Sequence, residues 1–357
     1  MEFNLKEVCE QFAIKTDIES YGNGHINDTY MADAKPQIIL QRINKNIFHN
    51  PHEVMENIYN VTEHLKRKII ARGGNPKREA LNVIKTKDGK NYFQLDEDNF
   101  FRMYLFVTDS VSYDVVENPV QLFHAGTAFG RFQNMLDDYP ADSLYETIVD
   151  FHNTPERVNQ LKEAISNDLA SRLTEVYDEV EFALDYADYK SMITDEMKKG
   201  TVPVRVTHND TKLNNVLFDA KTGEGVCVID LDTVMPGSIL YDFGDALRFG
   251  ASSGPEDEQD LDKIWFDLEK FEQFAKGFLG EVKDCLTPKE IELLPVSALI
   301  MTYECGIRFL ADHLNGDIYF KVHRENHNLD RARTQFKLVR DIESKLDEMK
   351  KLVAKYI

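Results

Sequence analysis

Three polar residues fall at fixed offsets in "VRVTHNDTKLNNVLFD", residues 204–219: His208, Asp210 and Asn215. The spacing His-x-Asp-x4-Asn puts a carboxylate and a carboxamide on one loop between two apolar strands. Twenty residues after Asp210, the stretch "GVCVIDLD" delivers Asp230 where a buried strand opens into a loop. Phosphoryl transfer asks for such a set. One carboxylate orients the attacking hydroxyl and accepts its proton, while a carboxamide and a second carboxylate hold Mg2+ against nucleotide phosphates. Mg2+ takes few hard oxygen ligands from protein, keeps several waters and draws the rest from phosphate. Taken singly, each residue also has a structural use: Asp210 in an Asx-turn, Asn215 satisfying backbone groups, Asp230 capping a turn. The combined spacing, followed by "YDFGD", favours the chemical reading.

A second candidate is "YGNGHINDTY". A dinucleotide fingerprint needs a strand before its glycines and a helix after them. Here apolar-alternating stretches lie on both sides, which predicts a β-hairpin. Such a hairpin, carrying Gly22 and Gly24, can cover phosphates with its backbone amides. The sequence contains no GxxxxGK[ST], so a P-loop enzyme is excluded.

The bulk composition sets limits on both. At 357 residues the chain exceeds what one hydrophobic core comfortably supports, so two lobes are expected. Apolar residues make up 42% and charged residues 29%, as in ordinary globular proteins. A net charge of −20 argues against a nucleic-acid partner, which needs a basic face. The same charge means that a polyphosphate can be held only with a divalent cation between it and the carboxylates. No apolar run reaches the ~18 residues of a membrane span, and the acidic, amphipathic "MEFNLKEVCEQF" is unlike a signal peptide. Cys9, Cys227, Cys285 and Cys305 show no paired metal spacing and read as reduced thiols of a cytoplasmic protein.

The elements that must position these groups fall in two parts. Residues 14–106 read as β-rich, through "QIILQRI", "LNVIKT", an Asp88-Gly89 hairpin signal, "NYFQL" and "NFFRMYLFV". One helix interrupts them, with Asn50 as its cap, Pro51 in its first position, Glu53 reaching back, and a stripe of Val54, Ile58, Val61 and Leu65. Helical periodicity then dominates at 118–136, 155–173, 268–280, 288–314 and 329–356, broken by a β island at 203–232 around the "AKTGEG" turn. The fold class is α+β: a protein kinase-like two-lobe arrangement. A nucleotide-binding lobe spans 1–106 with a hinge at 103–106, and a helical lobe spans 107–357.

The His-x-Asp-x4-Asn loop, the strand-end Asp230 and the two-lobe order resemble the aminoglycoside phosphotransferase/choline kinase-like superfamily, relatives of protein kinases. Longer stretches resemble its members that phosphorylate the anomeric hydroxyl of N-acetylglucosamine or N-acetylgalactosamine with ATP and Mg2+. They include "VSYDVVENP", "IDLDTVMPGS", "YDFGDALRFGAS", "ECGIRFLADHLNGDIYF" and "NLDRARTQFKLV", and run from residue 21 to 339. The resemblance implies that Asp210 is the catalytic base and also binds the sugar. It implies that Asn215 and Asp230 bind Mg2+, and that His25, Thr233, Arg308 and Tyr319 line the sugar site. Gly22, Gly24, Asn27, Gln41, Tyr104 and Phe106 fall on its nucleotide-binding segments. A sugar calls for fixed donors and acceptors and an aromatic face, which suits Arg308 and Tyr319. Arg308 can equally form an i,i+4 ion pair with Glu304, and Tyr319 can be ordinary core.

The chain also departs from the kinase pattern. Gln41 stands where protein kinases carry the third-strand lysine, with Arg42 beside it, and alternation lets only one of them face the nucleotide. The sequence does not choose between them. None of Glu53, Glu56 and Glu63 stands out as a lysine partner, and Asn27 replaces the third glycine of the loop. These gaps keep open a non-catalytic scaffold, beside kinases of choline, homoserine, methylthioribose or an aminoglycoside. "HRENH" at 323–327 lacks an acid ligand at a metal-binding offset and reads as solvated chain. A monomer working on ATP and an amino sugar, without membrane or nucleic acid, is the expected state.

Overall fold

The computed structural model describes residues 3–22, 26–32 and 34–357. The fold is α+β, with a β-sheet lobe and a helical lobe. Its residues form two compact units that interleave along the chain: Met1–Ser112, Met135–Val149 and Asn215–Pro236 in the first, and Tyr113–Asn134, Asp150–Asn214 and Gly237–Ile357 in the second.

In the first unit, antiparallel strands run in the order Glu19–Ser20, Asp28–Ala32, Ile38–Ile43, Phe100–Leu105 and Val83–Ile84, with Phe93–Gln94 also paired to Phe100–Leu105. The pairing of Glu19 with Met31 and of Ser20 with Tyr30 makes the glycine-bearing stretch a hairpin. Gly22 takes a left-handed φ of 71° there. The hairpin residues Gly24 and His25 lie outside the described residues.

Side-chain alternation divides the sheet into two faces. On one, Ile38, Leu40, Phe101 and Met103 pack with Val8, Cys9 and Phe12 of the N-terminal helix segment. The other face carries Gln41 opposite Arg102. A long helix, Pro51–Ala71, buries the expected stripe of Val54, Ile58, Val61 and Leu65. Pro51 occupies the first turn, but the Asn50 side chain makes no capping bond, so the predicted Asn50 cap is not formed. At Asp88-Gly89 a turn forms, with Gly89 at a φ of 83° and the Thr86 N–H on the Lys90 carbonyl at 2.9 Å, but the expected hairpin does not: Val83–Ile84 and Phe93–Gln94 each pair with Phe100–Leu105 and not with each other.

A second sheet of this unit joins Ser110–Val111, Val216–Asp219 and Gly225–Val228, all antiparallel. The intervening turn is built by Asp219, whose carboxylate accepts the N–H groups of Lys221 and Thr222 at 2.8 Å, while Gly223 takes a φ of 74°. Those bonds draw the Asp219 carboxyl down to about 2.

The second unit is helical. Pro119–Met135, Thr154–Asn167, Leu268–Val282, Pro288–Leu314 and His327–Ala354 match the periodic stretches. The stretch read as helical to 173 stops at Asn167, where Asp168 turns left-handed with a φ of 36°. Three helices escaped the periodicity reading: Tyr177–Asp185, Met192–Lys199 and Ile239–Gly250. In Ile239–Gly250 every residue but Phe249 is buried, so there is no polar face for a 3.6-residue pattern to show. Pro119–Met135 and Leu268–Val282 cross in close contact: a Cβ on Gly277 would stand 2.1 Å from the carbonyl oxygen of Phe123. Only glycine fits there.

Pro288–Leu314 opens with a capping box. Thr287 accepts from the Glu290 N–H at 3.2 Å, and Glu290 accepts from the Thr287 N–H at 2.7 Å. Contrary to the sequence expectation, this helix is long and apolar enough to cross a membrane by length and composition, with a mean hydropathy of 1.4. It is a core helix: 83% of that apolar window is buried within the protein.

Candidate active site

The loop after strand Arg205–Thr207 is held by the helix that follows it in space, Ile239–Gly250. The Asp242 carboxylate accepts the backbone N–H of Asn209 at 2.7 Å and that of His208 at 2.9 Å, and takes a further bond from the Gln133 amide. One turn on, Asp245 accepts the Thr211 N–H at 3.1 Å, while the Thr211 hydroxyl donates to the Asp242 carbonyl at 2.7 Å. These are the two acids of "YDFGD". Asn209 sits in left-handed backbone with a φ of 65°, a conformation that asparagine tolerates better than most residues. His208 is wholly buried, edge-on to Phe129 and Phe132.

Asp210 therefore hangs from a backbone fixed on both sides. Its side chain keeps 22% of its surface exposed, and its carboxylate faces the Lys212 ammonium at 2.8 Å. Burial opposes the charge, but Lys212, with His208 and Arg248, outweighs it and holds the carboxyl below its ordinary range. An ionised, half-accessible carboxylate on a rigid loop can orient a hydroxyl and receive its proton.

A second support reaches the same loop. His152 Nε2 lies 3.1 Å from the Asn209 carbonyl oxygen and Nδ1 lies 2.8 Å from Glu304 Oε1. The Thr154 hydroxyl donates to the other Glu304 oxygen at 2.6 Å. Each ring nitrogen therefore faces an oxygen, and the imidazole bridges the loop to the helix Pro288–Leu314. Glu304 is thus engaged by His152 and Thr154, and the i,i+4 pair with Arg308 does not form. Arg308, one turn further along the same helix, lies within 5.3 Å of the Phe151 ring, 5.6 Å of Phe320 and 5.9 Å of Tyr319. Among the described residues it makes no hydrogen bond or ion pair. Tyr319 is 60% exposed, so it is not core. Its N–H and those of Ile318 and Phe320 donate to Asp312, which fixes the segment. Arg157 lies in the same neighbourhood, its acidity shifted by burial and by the Arg308 guanidinium so that its pKa falls.

Asn215 and Asp230 lie in the first unit, and the second sheet places them together. Val216 pairs with Val228, and the Ile229 N–H donates to the Asn215 carbonyl at 2.9 Å. Asn215 is buried, whereas Asp230 is exposed and left-handed, with a φ of 58°. One carboxamide oxygen and one exposed carboxylate are hard donors, few enough to leave a Mg2+ its waters and its phosphate oxygens. The donor chemistry fits such an ion. Thr233 is buried in the turn Leu231–Thr233 directly after them.

The nucleotide candidates belong to this unit as well. Gln41, not Arg42, faces the side of the sheet that carries Asp232: its amide nitrogen donates to the Thr29 hydroxyl at 3.0 Å and its oxygen accepts from Arg102 Nε at 3.0 Å. Arg42 lies on the opposite face, paired with Asp28 at 2.7 Å and set over the Phe3 ring. Asn27 donates to Asp232 at 2.6 Å and accepts the Asn44 N–H at 3.0 Å. Tyr104 is buried, and burial pushes its phenol up. Phe106 is half-buried, with its N–H on the Gln37 carbonyl at 3.0 Å and its ring edge-on to Tyr21. The helix glutamates stay at the surface of their own helix, Glu56 with His52 and Glu63 with Lys66.

Sequence reasoning missed Arg102, Asp232, Asn57, Lys212 and His152. "HRENH" is only partly solvated: His323 is exposed, but His327 is buried at the start of the helix His327–Ala354. His327 Nε2 contacts Asp257 at 3.0 Å, and His323 gives its N–H to the other nitrogen of that ring.

This arrangement, a β-sheet lobe and a helical lobe with a fixed Asp-bearing loop, is that of the protein kinase-like small-molecule kinases. Solved structures share the fold. An aminoglycoside phosphotransferase from Alicyclobacillus acidocaldarius superposes with a TM-score of 0.64 at 12% identity, over 99% of this chain and 98% of its own. An amicoumacin kinase in complex with AMP-PNP and Ca2+ matches at 0.60 and 15% identity, over 96% and 94%. A microcompartment-associated aminopropanol kinase matches at 0.58 and 14% identity, over 97% of each chain. The chain belongs to the APH phosphotransferase enzyme family, whose model matches residues 17–274.

Proposed function

We propose that this kinase is an N-acetylhexosamine 1-kinase, transferring phosphate from ATP to the anomeric hydroxyl of an N-acetylhexosamine in the cytoplasm. The observation that carries the acceptor class is Arg308: a half-buried guanidinium without a hydrogen-bonding partner among the described residues, set against the rings of Phe151, Tyr319 and Phe320. Such a group repels choline, ethanolamine or an aminoglycoside. It suits a neutral sugar whose acetamido carbonyl and hydroxyls accept hydrogen bonds and whose ring lies against an aromatic face. The related amicoumacin kinase was solved with AMP-PNP and Ca2+, which supports a divalent metal nucleotide as the donor.

On this reading Asn215 and Asp230 hold Mg2+, which when bound neutralises charge on the transferring phosphoryl group. Asp210 orients the sugar hydroxyl and takes its proton late, as the new O–P bond forms. Asp242, Asp245 and His152 keep the loop in the one conformation that presents Asp210, so alignment is set before the substrates arrive. The glycine hairpin with Gly22, Gly24, Asn27 and Gln41, and the strand with Tyr104 and Phe106, take the nucleotide. His25 and Thr233 complete the sugar site. Cysteines that form no disulfide fit a reducing compartment.

The test is an ADP-release assay with Mg2+ across N-acetylglucosamine, N-acetylgalactosamine, plain hexoses, choline and homoserine, with phosphorus NMR of the product. The expected result is turnover on N-acetylhexosamines and a phosphate on the first carbon. Turnover confined to choline or homoserine would assign a different acceptor. ADP release with none of them, despite nucleotide binding, would favour a scaffold.

A further inference from the structure

The first unit contains a buried ion pair that none of the roles above uses. The Arg102 guanidinium bonds Asp232 Oδ1, and the two side chains are only 1% and 4% exposed. Both side chains make a further bond. Arg102 Nε donates to Gln41 Oε1 at 3.0 Å, and Asn27 Nδ2 donates to Asp232 Oδ2 at 2.6 Å. Thr147 reaches the Asp232 carbonyl at 3.3 Å. On its other flank the turn is held by the long helix, where Asn57 donates to the Val234 carbonyl at 3.0 Å and to that of Tyr145 at 2.8 Å.

Asp232 is two residues beyond Asp230, on the short turn Leu231–Thr233. Whatever fixes Asp232 therefore fixes the backbone that aims Asp230. The pair also balances charge. An unpaired Asp232 would be a buried, uncompensated carboxylate two residues from Asp230. The guanidinium is within electrostatic reach of both acids: burial works against its charge, but Asp232, and more weakly Asp230, outweigh that and raise its pKa.

We propose that Arg102 and Asp232 are positioning residues of the metal–nucleotide site, the Arg102 guanidinium doing from the strand Phe100–Leu105 what the missing lysine at Gln41 cannot. The pair locks the Asp230 turn to the sheet, and through Asn27 and Gln41 it ties in the glycine hairpin and its neighbouring strand. This rests on the kinase reading given above. It explains why the strand can carry glutamine at position 41: the cation comes from the sheet and is paired with Asp232, and the helix contributes the buried Asn57 to the same turn.

The test is calorimetric binding of ADP over a Mg2+ titration, with melting temperature measured on the same samples. The neutral double variant Arg102→Gln/Asp232→Asn leaves no unpaired buried charge, so it is expected to fold. It should bind MgADP at least tenfold more weakly and require more Mg2+. A folded double variant with wild-type MgADP affinity and wild-type Mg2+ requirement would overturn the proposal. Should that variant not fold, Arg102→Lys keeps the charge but loses the forked geometry. Weaker MgADP binding at an unchanged melting temperature then supports the pair, and wild-type binding overturns it. Wild-type protein that binds no MgADP would overturn the kinase reading itself, and this proposal with it.

Discussion

The Ile229 N–H donates to the Asn215 carbonyl at 2.9 Å, closing the ladder end at which the Asn215 carboxamide and the Asp230 carboxylate stand. Because that bond is made by backbone, the two donors can be altered without loosening the ladder. Asp230→Asn or Asn215→Ala should raise the Mg2+ needed for half-maximal nucleotide binding by about tenfold or more, equivalent to ~1.4 kcal/mol. Urea midpoints should be unchanged for Asp230→Asn, since that side chain is exposed.

Asp210→Asn keeps the shape of the loop and removes the proton acceptor. Turnover should fall by about 10²–10⁴-fold, with ADP affinity at the wild-type level. Near-normal turnover would take Asp210 out of the chemistry.

The Lys212–Asp210 contact at 2.8 Å sets the pH response. The folded Asp210 carboxyl lies below its ordinary 3.8 despite burial. A depressed carboxyl is ionised at neutral pH, and its charge, with the stability it contributes, is lost only as pH falls through the folded value. The acid limb of turnover should therefore lie at lower pH than an ordinary carboxylate gives. Lys212→Met should move that limb upward. A pH–rate profile of the two proteins reads this directly.

Arg308→Gln should raise the KM for the acceptor by about tenfold or more, the loss of a charge-assisted bond of ~1.5–3 kcal/mol, and leave the KM for ATP alone. Arg308→Glu should admit cationic alcohols that the wild type rejects. Equal effects on both substrates would point to a fold defect.

Asp242→Ala strips an acceptor from two buried backbone N–H groups, those of His208 and Asn209. A loss of at least about 2 kcal/mol in urea unfolding is expected. Turnover should fall as well, since those N–H groups fix the residue preceding Asp210.

What the sequence made legible follows from local pattern. The spacing from Asn215 to Asp230 encloses one tight hairpin, Val216–Asp219 and Gly225–Val228, whose Asp219 and Gly223 turn can be read residue by residue. The donors must then meet at the open end of that hairpin. The long helix after Pro51 announces itself through its apolar stripe. Arg102 does not. It stands in "FFRMYLF" as a lone charge in an apolar strand, and its partner Asp232 is 130 residues away. Nothing in either neighbourhood names the other. His152 is similarly silent, since its two acceptors, Glu304 and the Asn209 carbonyl, come from distant segments. Buried ion pairs of this kind are written only in tertiary packing, and Ile239–Gly250, which carries Asp242 and Asp245, lacked a polar face for the same reason.

The helix Pro288–Leu314 is packed by His327–Ala354, which follows it in the chain. Until that element is made, a long greasy surface waits uncovered on the nascent chain, so synthesis itself is the hazardous stage for this protein. A product ending before residue 327 should be recovered in inclusion bodies or bound to chaperones, even though every residue of the proposed chemistry is already present in it.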